Sequence, residues 1–230
     1  MNSHYTYLLL ELTFVFLPLA LSFHKKIAFY KLWEFLFPAM FTSTVFFISW
    51  GMFFTSQGIK RFNPDYISGI YLFNLPLEEV LFFICIPYTC VFIYEVLNVY
   101  VKRDVIGTCG TRVSILLSVL SLIACLIFYD RTLTLVNAGI CIALILSGTF
   151  IYRFRNLGRF YLSFVVSLIP FLIFSGFVSG LPIVSYDNSE SMNIRLGTIP
   201  LEEIFFCLGL MLSTVLIMDY LKERAEEKNT

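Results

Sequence analysis

The segment Asn74-Leu-Pro-Leu-Glu78-Glu79-Val-Leu-Phe-Phe83 recurs 124 positions later as Thr198-Ile-Pro-Leu-Glu202-Glu203-Ile-Phe-Phe-Cys207. Each copy opens a stretch that is apolar enough to cross a bilayer. A charged side chain inside the hydrocarbon costs roughly 2.5–3.5 kcal/mol even on the lenient insertion scale, so an acid in a membrane helix is a candidate for function. The two copies together place four such carboxyl groups in the chain.

The composition is that of a polytopic membrane protein. Of 230 residues, 58% are hydrophobic, 18% aromatic and only 14% charged, whereas charged residues make up about 25% of soluble domains. The 16 basic and 16 acidic residues balance, and no Lys/Arg-rich tract indicates a nucleic-acid partner. The six cysteines form no CxxC pair, which argues against a disulfide or metal framework. No basic segment precedes the first apolar run, so no removable signal peptide is predicted.

Apolar runs of about 18 or more residues predict transmembrane helices. The chain has seven, and the predicted fold is therefore an all-α polytopic helix bundle. The predicted spans are 5–22, 32–54, 76–99, 112–129, 133–151, 160–180 and 199–221.

Basic residues in the short connections predict the orientation, because Lys and Arg mark the cytoplasmic side. Twelve fall on one side: Lys25, Lys26, Lys31, Lys102, Arg103, Arg112, Arg153, Arg155, Arg159, Lys222, Arg224 and Lys228. Four fall on the other: Lys60, Arg61, Arg131 and Arg195. The N-terminus is therefore predicted outside and the C-terminus in the cytoplasm.

Shifting the first three spans by 124 residues superposes them on the last three. We predict a first repeat at 1–104, a linking transmembrane helix at 105–131 and a second repeat at 132–230. The extra crossing makes the repeats parallel, related by a pseudo-twofold axis along the membrane normal. Both Pro-Leu-Glu-Glu motifs then lie on the non-cytoplasmic side, where they could serve one chamber or two equivalent ones. A second acidic pair at the same period, Glu95 and Asp219, falls near the cytoplasmic surface.

The motif has a structural and a functional interpretation. Proline suits the first helical position, and acids in the first turn meet the positive end of the helix dipole. The apolar setting, with Phe-Phe pairs directly after both motifs, favours function. Adjacent carboxyls in such a site should hold at least one proton between them, which makes them possible proton donors. His4 and His24 are interpreted as boundary residues. No zinc, nucleotide or dinucleotide motif is present, so neither a metal nor another cofactor is predicted.

The sequence resembles a known family, the integral-membrane lycopene cyclase domain, in its fused form. The likeness is carried by the stretches 58–70, 75–83, Ile86-Pro87-Tyr88 and Tyr94-Glu95 in the first half, and by 182–188, Ile194-Arg195 and 198–203 in the second. Lys60-Arg61 depart from the pattern, which has an aromatic-containing stretch at that place.

The resemblance implies that the chain converts the open ψ-ends of lycopene into β-ionone rings without net redox change, as a lycopene β-cyclase of the isomerase (intramolecular lyase) class. A carboxylic acid protonates the terminal alkene, a neighbouring double bond attacks the cation, and a base removes a ring proton. The catalytic candidates are Glu78, Glu79, Glu202 and Glu203, with donor and acceptor left unassigned. Substrate-binding or supporting roles are predicted for Pro76, Pro200, Asn63, Tyr88, Glu95, Asp187 and Asp219.

The predicted partners are lycopene and other linear carotenoids, the lipid bilayer of a bacterial cytoplasmic membrane, and other carotenoid enzymes or a second copy of the chain. Two other functions stay open: a proton-coupled transporter, which parallel repeats and intramembrane acids suit, and a non-catalytic membrane subunit. A retinal-binding opsin is disfavoured, because the last span has no lysine before Lys222 at its end.

Overall fold

The helices of the computed structural model follow the apolar runs of the sequence. The structure describes residues 4–101 and 107–228. Lys102, Arg103 and the predicted repeat boundary at 104/105 lie outside the described residues. The described helices are α1 (Thr6–Leu21), α2 (Trp33–Ser56), α3 (Leu77–Tyr100), α4 (Gly110–Ile127), α5 (Thr132–Leu146, continued by a π-helical turn Ser147–Ile151), α6 (Leu157–Gly180) and α7 (Glu202–Lys228).

This arrangement confirms the all-α membrane bundle. Six of the seven helices in the described ranges are long and apolar enough to cross a membrane. Helix α1 has 16 residues and therefore reaches only about 24 Å at 1.5 Å per residue, less than the roughly 30 Å of hydrocarbon in a bilayer. The chain is an integral membrane protein.

Helix packing repeats with the period of the sequence. Helix α3 packs against α1 and against α6 of the other half, and α7 packs in the same way against α5 and α2. The third helix of each half thus also packs against the other half. Helix α4 lies against α5 and α6. The two halves therefore form a single interlocked bundle with one large core and a small second cluster of Phe54, Ile59 and Leu133.

Short strands close the end of the bundle where α3 and α7 begin. Two hairpins precede these helices, β2 (Tyr71–Leu72) with β3 (Leu75–Pro76) and β5 (Arg195–Leu196) with β6 (Ile199–Pro200). A third antiparallel pair joins the halves, β1 (Lys60–Phe62) with β4 (Val184–Tyr186). All three pairs obey the 124-residue offset.

The two motif prolines end strands, which corrects the prediction that they occupy the first helical position. Pro76 pairs with Tyr71 and Pro200 with Arg195, and the ψ of Pro76 is 148°, an extended value. The hairpin sets this geometry, because the N–H of Leu77 donates to the Ile70 carbonyl oxygen at 2.8 Å. Helix α3 starts one residue after its proline.

The hairpin turns need left-handed backbone at matching places. Gly197 has φ +64° and its repeat counterpart Phe73 has φ +55°. Glycine adopts this conformation without cost, whereas a bulky side chain there is unusual. The turn geometry has therefore persisted in both halves although the residue differs.

Candidate functional site

The first glutamate of each motif holds the loop that leads into its helix. Glu78 accepts a hydrogen bond from the Ser68 N–H at 2.7 Å, and Glu202 accepts one from the Met192 N–H at 2.5 Å. Both bonds reach back ten residues. The hydroxyl of Thr134 also donates to Glu202 at 2.8 Å. Both side chains are buried, and their shared geometry is that of a loop-closing residue.

The second glutamate of the first motif lies in a different environment. Glu79 is fully buried, and its Oε1 lies 2.5 Å from the Nζ of Lys60. Its Oε2 accepts a hydrogen bond from the Tyr7 hydroxyl at 3.0 Å. Adjacent residues on a helix point about 100° apart, since a turn takes 3.6 residues. Glu79 therefore faces the bundle centre while Glu78 faces its loop.

The second glutamate of the second motif faces the same centre. The hydroxyl of Tyr186 donates a hydrogen bond to Oε1 of Glu203. Burial raises the pKa of the Tyr186 phenol well above its usual value, so this hydroxyl stays neutral and remains a donor. Lys60 and Tyr186 are direct partners across β1 and β4, and this strand pair thus brings the two glutamates to one place.

We call Lys60, Glu79, Tyr186 and Glu203 the central site. Two small cavities, each of about 20 Å³, adjoin it, and Lys60, Tyr186 and Glu203 line both. Glu79 lines the second. The cavities are related by the repeat: one is lined by Ser175, Val178, Val184 and Phe82, and the other by their counterparts Gly51, Phe54, Lys60 and Phe206. Each has room for about one water molecule.

Aromatic rings form the inner wall of the central site. Phe82 and Phe206, which are repeat counterparts, stack with their centroids 6.0 Å apart. Phe174 stacks on the other side of Phe82 at 5.9 Å. The Nζ of Lys60 lies within 5.7 Å of the ring centroid of Phe82. Ring faces attract positive charge, so this wall suits a cationic intermediate.

A further carboxyl lies one helical turn from Tyr7. Glu11 is 1% exposed, and neither of its oxygens has a hydrogen-bond partner among the described residues. An unpaired buried polar group is costly. Glu11 falls within the first predicted span, 5–22, and the sequence pattern predicted no site role for it or for Lys60, Tyr7 and Tyr186. The available signal was Lys60 itself, a departure from the family pattern.

The seven predicted supporting residues lie outside the walls of the two cavities. Pro76 and Pro200 end strands, as described. Asn63 accepts from the Asp65 N–H at 3.0 Å in an outer turn. The Asp187 carboxylate accepts from the Ser189 hydroxyl and N–H, and these bonds lower its pKa. Tyr88 and Ser22 share a hydrogen bond of 2.6 Å that joins α3 to α1.

The predicted acidic pair at the far end of the bundle forms a separate polar cluster. Glu95 Oε1 lies 2.8 Å from the Nζ of Lys222, which links α3 to α7. Asp219 accepts from the Tyr152 hydroxyl at 3.0 Å. These contacts fix helix ends and are distinct from the central site.

The described ranges contain no group of three or more His, Cys, Asp or Glu side chains placed to hold a metal ion. The central site offers carboxyl groups, phenols and an ammonium group. Together they can donate, accept and hold protons in an apolar setting.

Comparison with known proteins gives one family. The model of the family described as lycopene cyclase matches residues 4–97 and 130–221. No curated protein and no solved structure matches the chain. The family match covers most of the sequence, and its two segments include most of each half of the interlocked bundle and the whole central site. The chain therefore belongs to the lycopene cyclase family.

Proposed function

We propose that this protein is a lycopene β-cyclase that closes the ψ-end groups of lycopene into β-ionone rings. The observation that carries the proposal is the convergence of Glu79 and Glu203, one from each half, on a single buried site with an aromatic wall. Family membership independently implies a carotenoid substrate and a membrane environment.

The proposed reaction needs one proton in and one proton out. A carboxylic acid adds its proton to the terminal double bond and leaves a tertiary cation. The π electrons of a neighbouring double bond then form the ring bond, and a carboxylate removes a ring proton while a new double bond forms. Atoms and electrons balance without an oxidant or reductant, so the overall change is an isomerisation.

The site suits this chemistry in two ways. Its burial limits water, which would capture the cation, and its ring faces stabilise positive charge without reacting with it. The two adjoining cavities are smaller than a ψ-end group, so side chains of the wall must shift when the substrate enters. Entry from the bilayer is the natural route for a hydrocarbon of this length.

We propose different roles for the two glutamates of each motif. Glu79 and Glu203 handle protons, and Glu78 and Glu202 keep α3 and α7 in place through their bonds to loop N–H groups. The seven supporting residues act indirectly, through the strands, turns and helix ends that they fix.

The finer localisation is also proposed. The basic residues predict that the central site lies near the non-cytoplasmic face of a bacterial cytoplasmic membrane. A thiol-labelling test with a membrane-impermeant reagent should modify a cysteine at Asn188 from outside intact cells, and one at Lys228 only after lysis. The opposite pattern would reverse the orientation. Association with other carotenoid enzymes or with a second copy is compatible with this placement.

Expression in a lycopene-accumulating bacterial host tests the function. We expect wild-type protein to convert lycopene to monocyclic or bicyclic products, identified by chromatography and absorption spectra. Glu79→Gln and Glu203→Gln should each lose about 10²–10⁴-fold in rate, the usual contribution of a general acid or base. Glu34→Gln, the same change at an exposed residue in the first turn of α2 at the far end, is the matched control and should retain ring formation. Unchanged lycopene with well-folded wild-type protein would refute the proposal.

A further inference from the structure

The two second glutamates have partners that the repeat does not relate. Lys60 in β1 corresponds to Val184 in β4, and Tyr186 in β4 corresponds to Phe62 in β1. The central site therefore contains one ammonium group, contributed by the first half alone. Two sites that a duplication made equal have become chemically different.

Both oxygens of Glu79 are occupied by donors. An ammonium group has three donors and no acceptor, so the oxygen 2.5 Å from Lys60 must accept. The other oxygen accepts from Tyr7. Both oxygens of Glu79 therefore accept hydrogen bonds, and the charge-assisted bond from Lys60 favours its carboxylate form.

Glu203 has a different set of contacts. Among the described residues, the hydroxyl of Tyr186 is the one group that hydrogen-bonds its carboxyl, and it does so at Oε1 alone. Glu203 lines both cavities, and its Oε2 is available to carry a proton.

Charge balance supports the same distinction. The charges of Lys60 and Glu79 cancel within a site that has little water. An ionised Glu203 would add an uncompensated negative charge close to another carboxylate, which such surroundings strongly disfavour. The neutral form of Glu203 leaves the central site without net charge.

From these contacts we infer that Lys60 divides the work between the repeats, so that Glu203 is the proton donor and Glu79 the proton acceptor of the cyclisation. This inference rests on the proposed function. Lys60 acts through Glu79 and is a positioning residue. In each cycle the Glu203 proton forms a C–H bond at the terminal alkene, and the Glu79 carboxylate takes a ring proton as the C–H electron pair becomes the new double bond. The proton then returns to Glu203 before the next cycle.

Infrared difference spectroscopy on purified protein tests the two protonation states directly. Relative to wild type, Glu203→Gln should lose one carbonyl-stretch band of a protonated carboxyl, whereas Glu79→Gln should keep that band and lose a carboxylate band. Loss of the protonated band in Glu79→Gln would overturn the assignment. These spectra can be read whether or not the protein forms rings, so they separate this inference from the proposed function.

Kinetics with variants of Lys60 test the positioning role. Lys60→Met should lower kcat by at least about tenfold, because the Glu79 carboxylate loses the ammonium group that keeps it ionised. KM should stay within about threefold of wild type, because the residues that contact the substrate are unchanged. Lys60→Arg restores the positive charge and should recover most of kcat. Arg61→Met, at an exposed neighbour on the same strand, is the matched control and should behave as wild type.

Two outcomes would overturn the inference while leaving the proposed function intact: a wild-type kcat in Lys60→Met, or no recovery in a folded Lys60→Arg. If Lys60→Met does not fold, the neutral pair Lys60→Met/Glu79→Gln should restore folding without activity, and ring formation by that double variant would contradict the acceptor role of Glu79.

Discussion

Arg61 and Ser185 face one another across β1 and β4, and they are also repeat counterparts, 124 residues apart. The pseudo-twofold axis of the bundle therefore passes between these two residues. The hydrogen bonds on either side of this axis are symmetric. The Asn63 N–H donates to the Ile183 carbonyl oxygen, and its counterpart, the Asp187 N–H, donates to the Ile59 carbonyl oxygen, both at 2.9 Å. The strand pair is the place where the two halves meet symmetrically.

A disulfide should form at this place. Antiparallel partners have Cα atoms about 4.5–5.5 Å apart, within the 4.4–6.8 Å range that a disulfide spans. The double variant Arg61→Cys/Ser185→Cys is expected to cross-link under mild oxidation and to raise the thermal midpoint. Mass spectrometry of proteolytic fragments detects the linked peptides, and the two single-cysteine variants are the controls. Failure to link would show that the register of β1 and β4 differs.

Replacing the first glutamates should reduce stability more than chemistry. Glu78→Leu leaves the Ser68 N–H without its acceptor, at an expected cost of about 1–3 kcal/mol. Glu78→Gln keeps an acceptor oxygen and should stay close to wild type in thermal unfolding and in ring formation. Glu202→Leu and Glu202→Gln should repeat this pattern at Met192. Equal inactivation by Glu78→Gln and Glu79→Gln would contradict the division within the motif.

Gly110 is expected to tolerate no side chain. A Cβ there would lie 2.8 Å from the backbone nitrogen of Gly158 and 2.9 Å from the Cβ of Leu157, so α4 and α6 would have to separate. Gly110→Ala should destabilise the protein by about 1–3 kcal/mol. The matched control is Gly139→Ala in α5, where no atom lies within 4 Å and where alanine should stabilise by up to about 1 kcal/mol. Thermal unfolding in detergent compares the two.

Removing the carboxyl of Glu11 should stabilise the fold. Glu11→Leu eliminates two unpaired buried oxygens and introduces the residue found at its repeat counterpart, Leu135. An increase of about 1–3 kcal/mol is expected, measured as a higher thermal midpoint. Glu11→Gln retains unpaired polar atoms and should show little of this gain. A lower midpoint for Glu11→Leu would mean that the carboxyl has a partner in the membrane.

Asp187 should make stability depend on pH in a defined direction. Its bonds from Ser189 lower its pKa in the folded protein, so its contribution is complete above the unfolded value of about 3.9 and is lost as the pH falls through the folded value. The thermal midpoint of Asp187→Asn should therefore lie below that of wild type at pH 7, with the gap closing at acidic pH. Ser189→Ala should reduce the gap, since it removes one donor.

The helices and their 124-residue repeat could be predicted from the sequence, because each helix is an apolar run bounded by polar residues. The hairpins were not, since strands of two or three residues are too short for a period-2 pattern to stand out. Because of these hairpins, Pro76 and Pro200 end strands instead of starting helices, as had been predicted.

Only part of the central site could be predicted from the sequence. The sequence marks Glu78 and Glu79 equally, and only the rotation of α3 against its loop shows that one faces Ser68 and the other Lys60. Lys60 itself was assigned to an outer loop, because its pairing with Tyr186 depends on the register of two strands more than a hundred residues apart. Tyr7 and Glu11 belong to α1, and they could not be predicted because the rotation of α1 against α3 depends on how the helices pack.

The β1–β4 pair has the form of an isologous contact, in which the same surface is used twice. A single repeat could have assembled with its own copy in this way, and such a homodimer would carry every residue of the site in duplicate. Two copies of Lys60 would then stand on either side of the axis and repel each other. Lys60 in one half with Val184 at the symmetry-related place is possible only when the two halves have different sequences. Divergence of the repeats is therefore what makes a symmetric pocket chemically one-sided.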